Sequence, residues 1–466
     1  MKKNGILKAL GIVFLIYVIL SWIIPTGIYS SGAFTKGTTA PVGLFDLIRY
    51  PIINLTSSVF VLTAVVLLFI GGLYAVANKT GAYANLVKKV ADKYKDKGEV
   101  FLTISILVFA ILSSLTALVL PLFALVPFFV AVILLLGYNK STAILSTVGA
   151  ILVGNIGSTY GFNINGYLSY FYSTDIHSSI WYRLGLFLAL TVALIVFVIK
   201  TAKKTGKKDE TKDIPLYRES KSECKSTAIV ILFVLMMIIS LVGMFNWYNS
   251  FGIDWFDNIH SSITEFEING YPIFANLLGS ISSMGYWSNY EFALMLVLTS
   301  LIIGKVYGLK LSDIVQSFVD GCKKMLPVAV MAIAANIIFL LMNSSDTGYT
   351  FYATICNWLF TMTDKLTVVT TAIASMLGGV FYNDFPYMIN AVVSQVSSLD
   401  QNLNVISLVQ QAFHGLVCLV APTSVILVAG LTYLNVSYKE WLKNTWKYLL
   451  LAMVIIIVVL VIMILI

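Results

Sequence analysis

Residues 408–431 read LVQQAFHGLVCLVAPTSVILVAGL, a run long and apolar enough to span a bilayer that nevertheless holds Gln410, Gln411, His414, Pro422, Thr423 and Ser424. A polar group left unpaired in hydrocarbon is costly, so such a segment faces a cavity or another protein element. Pro422 removes a backbone donor in mid-span and crowds the preceding turn. This predicts a broken helix with carbonyls released beside the hydroxyls of Thr423 and Ser424. A kinked packing helix is the competing reading of the same residues.

Apolar runs recur along the whole chain. Of its 466 residues 59% are hydrophobic and 11% charged, and the mean hydropathy is +0.90, which excludes a soluble fold and predicts an all-α polytopic membrane protein. The net charge of +8 comes from lysines and arginines in short connections, where they act as topology signals, so no nucleic-acid partner is required. The four cysteines (224, 322, 356 and 418) lack disulfide or metal-ligand spacing, and the three histidines (177, 260 and 414) form no ligand pair. No metal and no catalytic set follows, which argues against an enzyme. A channel would need a continuous polar lining, whereas the polar residues cluster at four places.

Span one covers residues 6–25 behind Lys2, Lys3 and Lys8, so the N-terminus is expected to be cytoplasmic. Residues 42–53 form an amphipathic piece too short to cross, and residues 59–78 return to a lysine-rich inner loop. Residues 101–136 carry Ser113, Ser114 and Thr116 between basic flanks and read as a re-entrant hairpin, with two ordinary spans as the alternative. Residues 142–163 are interrupted by GNIGST, where Asn155, Gly157, Ser158 and Thr159 form a second break like that at Pro422. Residues 181–200 come back in. The stretch 201–226 reads as a solvated cytoplasmic linker, or alternatively as a regulatory segment. Residues 227–247 cross outward to a loop holding Asp254, Asp257, Glu265 and Glu267 but no lysine or arginine, and residues 291–305 cross back.

The second half repeats the first. Asp46 matches Asp313 and Thr80 matches Thr347, each pair 267 positions apart, and Gly157 lands on Ser424 at the same offset. The expected layout is a first repeat over 1–200, the linker, a linking span at 227–247, and a second repeat over 289–466. That second repeat holds a hairpin at 366–399, with its tip at GGVFYNDFP, and a broken span at 405–431. An odd number of spans separates the repeats, so they are expected to be inverted. Nine spans and two opposed hairpins result, with the C-terminus outside. Two tips and two breaks then meet at mid-bilayer, where half-helix N-termini suit a carboxylate and freed oxygens suit a small cation. This is the layout of a secondary transporter, with Na+ near Asn155 and Thr423, or H+, as coupling ion and no other cofactor.

The run HGLVCLVAPTSVILVAGLTYLNVSYKEWLKNTWKYLL, residues 414–450, resembles the C-terminal signature of the YfcC-type, four-carbon dicarboxylate anaerobic carrier family of the ion-transporter superfamily. Pro422-Thr423-Ser424, Ala429-Gly430-Leu431 and residues 438–446 carry the likeness. The resemblance implies a secondary carrier in the plasma membrane for dicarboxylates, other short carboxylates or amino acids, arginine/ornithine exchange included. It further implies an elevator-type homodimer in contact with lipid. Where that family commonly has Asp, Asn and Asn ahead of Pro-Thr-Ser, this chain has His414, Cys418 and Ala421. The second tip keeps Tyr382, Asn383 and Asp384. Asp384 is either a charge facing the solute or ion, or a turn cap, and His414 is either a proton relay or a hydrogen-bonded packing residue.

Overall fold

The computed structural model describes residues 5–30, 33–54, 58–206, 214–220, 224–342, 348–362, 367–396 and 402–465. Among these, eight helices are long and apolar enough to cross a membrane. Five coincide with expected spans, Gly5–Ile23, Ser58–Lys79, Ile180–Thr205, Thr227–Met244 and Asn289–Val306, and the second repeat adds Leu311–Met342 and Tyr438–Leu465. Their outer faces stay apolar, as at Val192 and Val454, each more than half exposed, which fits lipid rather than water as the neighbour.

The eighth, Gly98–Thr116, is the first limb of a helical hairpin. It ends at Ala117 in the left-handed conformation, and the chain returns through Val119–Phe123 and Val126–Leu135. A Cβ at Gly98 would lie 2.5 Å from the Tyr138 hydroxyl, so the two ends of the segment sit side by side. Nineteen residues rise about 28 Å, more than a limb stopping at mid-bilayer needs. In its first turn Glu99 pairs with Lys203 at 3.1 Å, both side chains being largely exposed. The second hairpin runs Thr367–Phe381, a non-helical tip at residues 382–384, and Phe385–Val396. Its expected limits at 366 and 399 lie outside the described residues.

Both broken spans are broken. The first runs Lys140–Ile144, a π-helical turn Leu145–Gly149, and Ala150–Ile156, then opens before a second π turn Phe162–Gly166 and a short helix Tyr167–Tyr172. The second runs Leu403–Cys418, opens over residues 419–424, and resumes as Val425–Tyr433. Glycine is required at the first opening because a Cβ on Gly157 would sit 2.5 Å from the Phe187 backbone. The scaffold beside them is the crossing of Ser58–Lys79 with Leu311–Met342. A Cβ on Gly71 would lie 2.5 Å from the Gly321 carbonyl oxygen, and one on Gly321 would strike the Gly71 carbonyl, so only glycine at both allows this approach.

Elements follow in the same order in the two halves, but the single offset of 267 does not hold. Ala82–Lys93 and Phe351–Met362, two helices that the sequence pattern did not reveal, begin 269 apart (351 less 82). The helices preceding the breaks end at Ile156 and Cys418, 262 apart (418 less 156), which aligns Gly157 with Leu419 rather than with Ser424. Connections of unequal length cause the drift. The linker also differs from expectation. Ile214 and Leu216 are buried, the Leu216 carbonyl accepts from Asn78 Nδ2 at 2.8 Å, and the Pro215 carbonyl accepts from the Tyr433 hydroxyl at 2.8 Å. Two apolar side chains among the charges suffice to dock the segment. An unexpected β-hairpin, Gly27–Ser30 with Ala33–Lys36, bridges to Thr350.

Candidate functional site

A cavity of about 760 Å³ lies where the four irregular elements converge. The first tip contributes residues 117–121 and the second Asn383, Asp384, Phe385, Pro386 and Tyr387. The first broken span contributes Leu152 and Asn155, and the second Gln411, His414, Gly415, Cys418, Ser424, Val425 and Ile426. Asn336, Phe339 and Leu340 of the scaffold close one wall, and Met244, Trp287, Ser288 and Asn289, beside the loop that lacks lysine and arginine, line another part.

Five of the residues expected at a site line this cavity: Asn155, Asn383, Asp384, His414 and Ser424. Asn383 donates from Nδ2 to Asn336 Oδ1 at 2.6 Å and to the Thr423 carbonyl at 3.0 Å, tying the second tip to both the scaffold and the second break. Asp384 is exposed to the cavity, and its carboxylate accepts the backbone N–H of Tyr387, so it caps the helix while facing the open space. His414 is buried, with Nε2 at 3.1 Å from the Tyr382 carbonyl and Nδ1 at 3.7 Å from Cys418 Sγ. These contacts describe the neutral ring donating from Nε2 and accepting from the thiol.

The remaining expected residues do not line the cavity, because their polar atoms are used within the protein. Ser113 Oγ donates to the Ile151 carbonyl and lies 2.7 Å from Asn155 Oδ1. Ser114 Oγ donates to the Gly157 carbonyl at 2.7 Å. Thr116 bonds back to the Leu112 carbonyl at 2.6 Å and caps Leu118 N. Ser158 Oγ and Thr159 Oγ1 both point at the Ser114 carbonyl. At the second break Thr423 Oγ1 donates to the Val380 carbonyl at 2.8 Å. The carbonyls released near Pro422 are taken as well: Leu419 accepts from Trp441 Nε1 at 2.8 Å and Val420 from the Tyr438 hydroxyl. The breaks therefore free backbone groups, as expected, but side chains rather than open space receive them.

Sequence reasoning passed over Arg183. Its side chain is buried, 4% exposed, in the first turns of Ile180–Thr205. Nη1 donates to Asn165 Oδ1 and Gln411 Oε1, Nη2 to Ser407 Oγ at 3.0 Å and Nε to Ser179 Oγ at 3.3 Å. Asn165 and Gln411 turn their NH2 groups to the first break. Asn165 donates to the Ser158 and Thr159 carbonyls at 2.7 Å each, and Gln411 to those of Ile156 and Ser158 at 3.0 and 2.9 Å. The signal was present, since an ionisable residue within an apolar run is expensive and retained for function.

The comparisons add to this geometry. No curated protein matches the sequence. A crystal structure of the YdaH transporter of Alcanivorax borkumensis is similar at 13% identity and a TM-score of 0.42, covering 98% of this chain and 97% of that one. The family model for DcuC, the C4-dicarboxylate anaerobic carrier, matches residues 5–465, which takes in every helix described above. The chain therefore belongs to that carrier family, and is a multi-pass membrane transporter rather than an enzyme.

Proposed function

We propose that the chain is a secondary transporter of small carboxylate solutes of the C4-dicarboxylate class, working by alternating access in the plasma membrane. The observation that carries this reading is the convergence of both tips and both breaks on one cavity, whose volume suits a small solute with its waters. Asn155, with Oδ1 beside Ser113, has its NH2 for a carboxylate. Ser424 makes no side-chain cap bond to its own helix, so its hydroxyl and the N-terminus of Val425–Tyr433 offer further donors. The lining at Trp287 to Asn289 adjoins the loop that carries no lysine or arginine, which supports reading the cavity as facing outward, with the N-terminus inside and the C-terminus outside.

Asp384 is the only charged side chain on the cavity wall among the described residues. A dianion meets repulsion there unless a proton occupies Asp384, so H+ is the ion that moves with it. The same carboxylate favours a second reading, exchange of amino acids whose ammonium group pairs with Asp384. Movement is of the elevator type, the hairpins and broken spans shifting against the Ser58–Lys79 and Leu311–Met342 crossing within a homodimer of inverted repeats. Uptake of labelled succinate, fumarate, arginine and ornithine into proteoliposomes at two external pH values tests this. Succinate or fumarate uptake that rises with acidity is expected, and uptake of the cationic amino acids alone would replace the first reading by the second.

A further inference from the structure

We infer that Arg183 is the resident cation of the first break, filling an all-oxygen site that an alkali cation would otherwise occupy, so that this carrier does not use Na+ there. The four groups around the guanidinium, Asn165 Oδ1, Gln411 Oε1, Ser407 Oγ and Ser179 Oγ, are all neutral oxygens drawn from three separate parts of the chain. Among the described residues no aspartate or glutamate pairs with Arg183. A neutral oxygen cage is the ligand set of a hard cation, whereas a buried arginine held for stability is ordinarily balanced by a carboxylate.

The cage is also what orients the first break. With their carbonyl oxygens fixed on the guanidinium, Asn165 and Gln411 can aim their NH2 groups only at the released carbonyls of Ile156, Ser158 and Thr159. A positive charge is thus needed at this place to hold the amides the right way round, and the chain supplies its own. At the second break the fourth residue of the next long helix, Tyr438–Leu465, is Trp441, which serves the Leu419 carbonyl directly from a neutral indole, and among the described residues no cation enters. The inference deepens the transport reading by restricting its coupling ion, but its test reads cation binding with no solute present, so the two can fail separately.

The test is the thermal unfolding midpoint of the purified full chain in detergent, titrated with NaCl against choline chloride and with methylguanidinium, for the wild type, Arg183→Lys and Arg183→Ser. The wild type is expected to show no saturable Na+ shift. Arg183→Lys should unfold between the wild type and Arg183→Ser, and Arg183→Ser should unfold several degrees lower and recover saturably with methylguanidinium or Na+. A saturable Na+ shift in the wild type overturns the inference, as does an Arg183→Ser midpoint equal to that of the wild type. If Arg183→Ser does not fold, the wild-type titration and Arg183→Lys still decide. An Arg183→Lys protein as unstable as Arg183→Ser, or equally unable to fold, would overturn the inference by showing that the charge is not what the cage requires.

Discussion

The two breaks solve one problem with different chemistry. Each interrupts a span inside the membrane and releases backbone carbonyls, and each is repaired by residue four of the next long helix, Arg183 in Ile180–Thr205 and Trp441 in Tyr438–Leu465. The first break is flanked by two π turns and is held through a charge and two amides. The second has Pro422 and is held by an indole, a phenol and Asn383. A break need not be a ligand site, because its polar groups can be satisfied from within. What remains for a solute is the space between the breaks and the tips.

The largest effect is expected for Arg183→Met. It leaves buried oxygens of Asn165, Gln411 and Ser407 without their donor, at about 1–3 kcal/mol each, enough to remove most folded protein as judged by detergent-stable yield. Asp384→Asn should follow. Asparagine retains an acceptor for the Tyr387 N–H, so the helix cap survives while the charge is lost, and uptake should fall about tenfold or more, equivalent to about 1.4 kcal/mol, with its pH dependence abolished. Unchanged, still pH-dependent uptake would leave Asp384 as a cap alone.

Trp441→Phe tests the neutral side of the comparison. It orphans the Leu419 carbonyl alone, so the unfolding free energy should drop by about 1–3 kcal/mol and half-saturation for the solute should not move. A loss as large as that of Arg183→Met would remove the distinction between the breaks. The smallest change is expected from Thr423→Val, whose hydroxyl is bonded to the Val380 carbonyl away from the cavity: about 1 kcal/mol of stability, with half-saturation unaltered. Ser424→Ala, one residue on and facing the cavity, should instead raise half-saturation several-fold at constant stability.

Hydropathy placed the spans well because hydrocarbon imposes a length and a composition on any helix that crosses it. Glycine at 157 and proline at 422 marked the breaks, since both act locally on the backbone. The helices Ala82–Lys93 and Phe351–Met362 escaped because they are short, and the π turns because no residue type signals them. The destination of each hydroxyl was not legible. Ser158, Thr159 and Thr423 look like open oxygens in the sequence, and only the fold shows that Ser114 and Val380 come close enough to take them. Arg183 could have been singled out by its cost in an apolar run, but its oxygen cage gathers residues 165, 179, 407 and 411, which no sequence pattern links.

The most direct measurement is counterflow of labelled succinate into proteoliposomes preloaded with unlabelled succinate, in Na+-free buffer, for the wild type and Asp384→Asn. A solute held in the cavity between tips and breaks predicts transient accumulation by the wild type without Na+ and strongly reduced accumulation by Asp384→Asn. Equal accumulation by both proteins, or accumulation of labelled arginine with none of succinate, would contradict it.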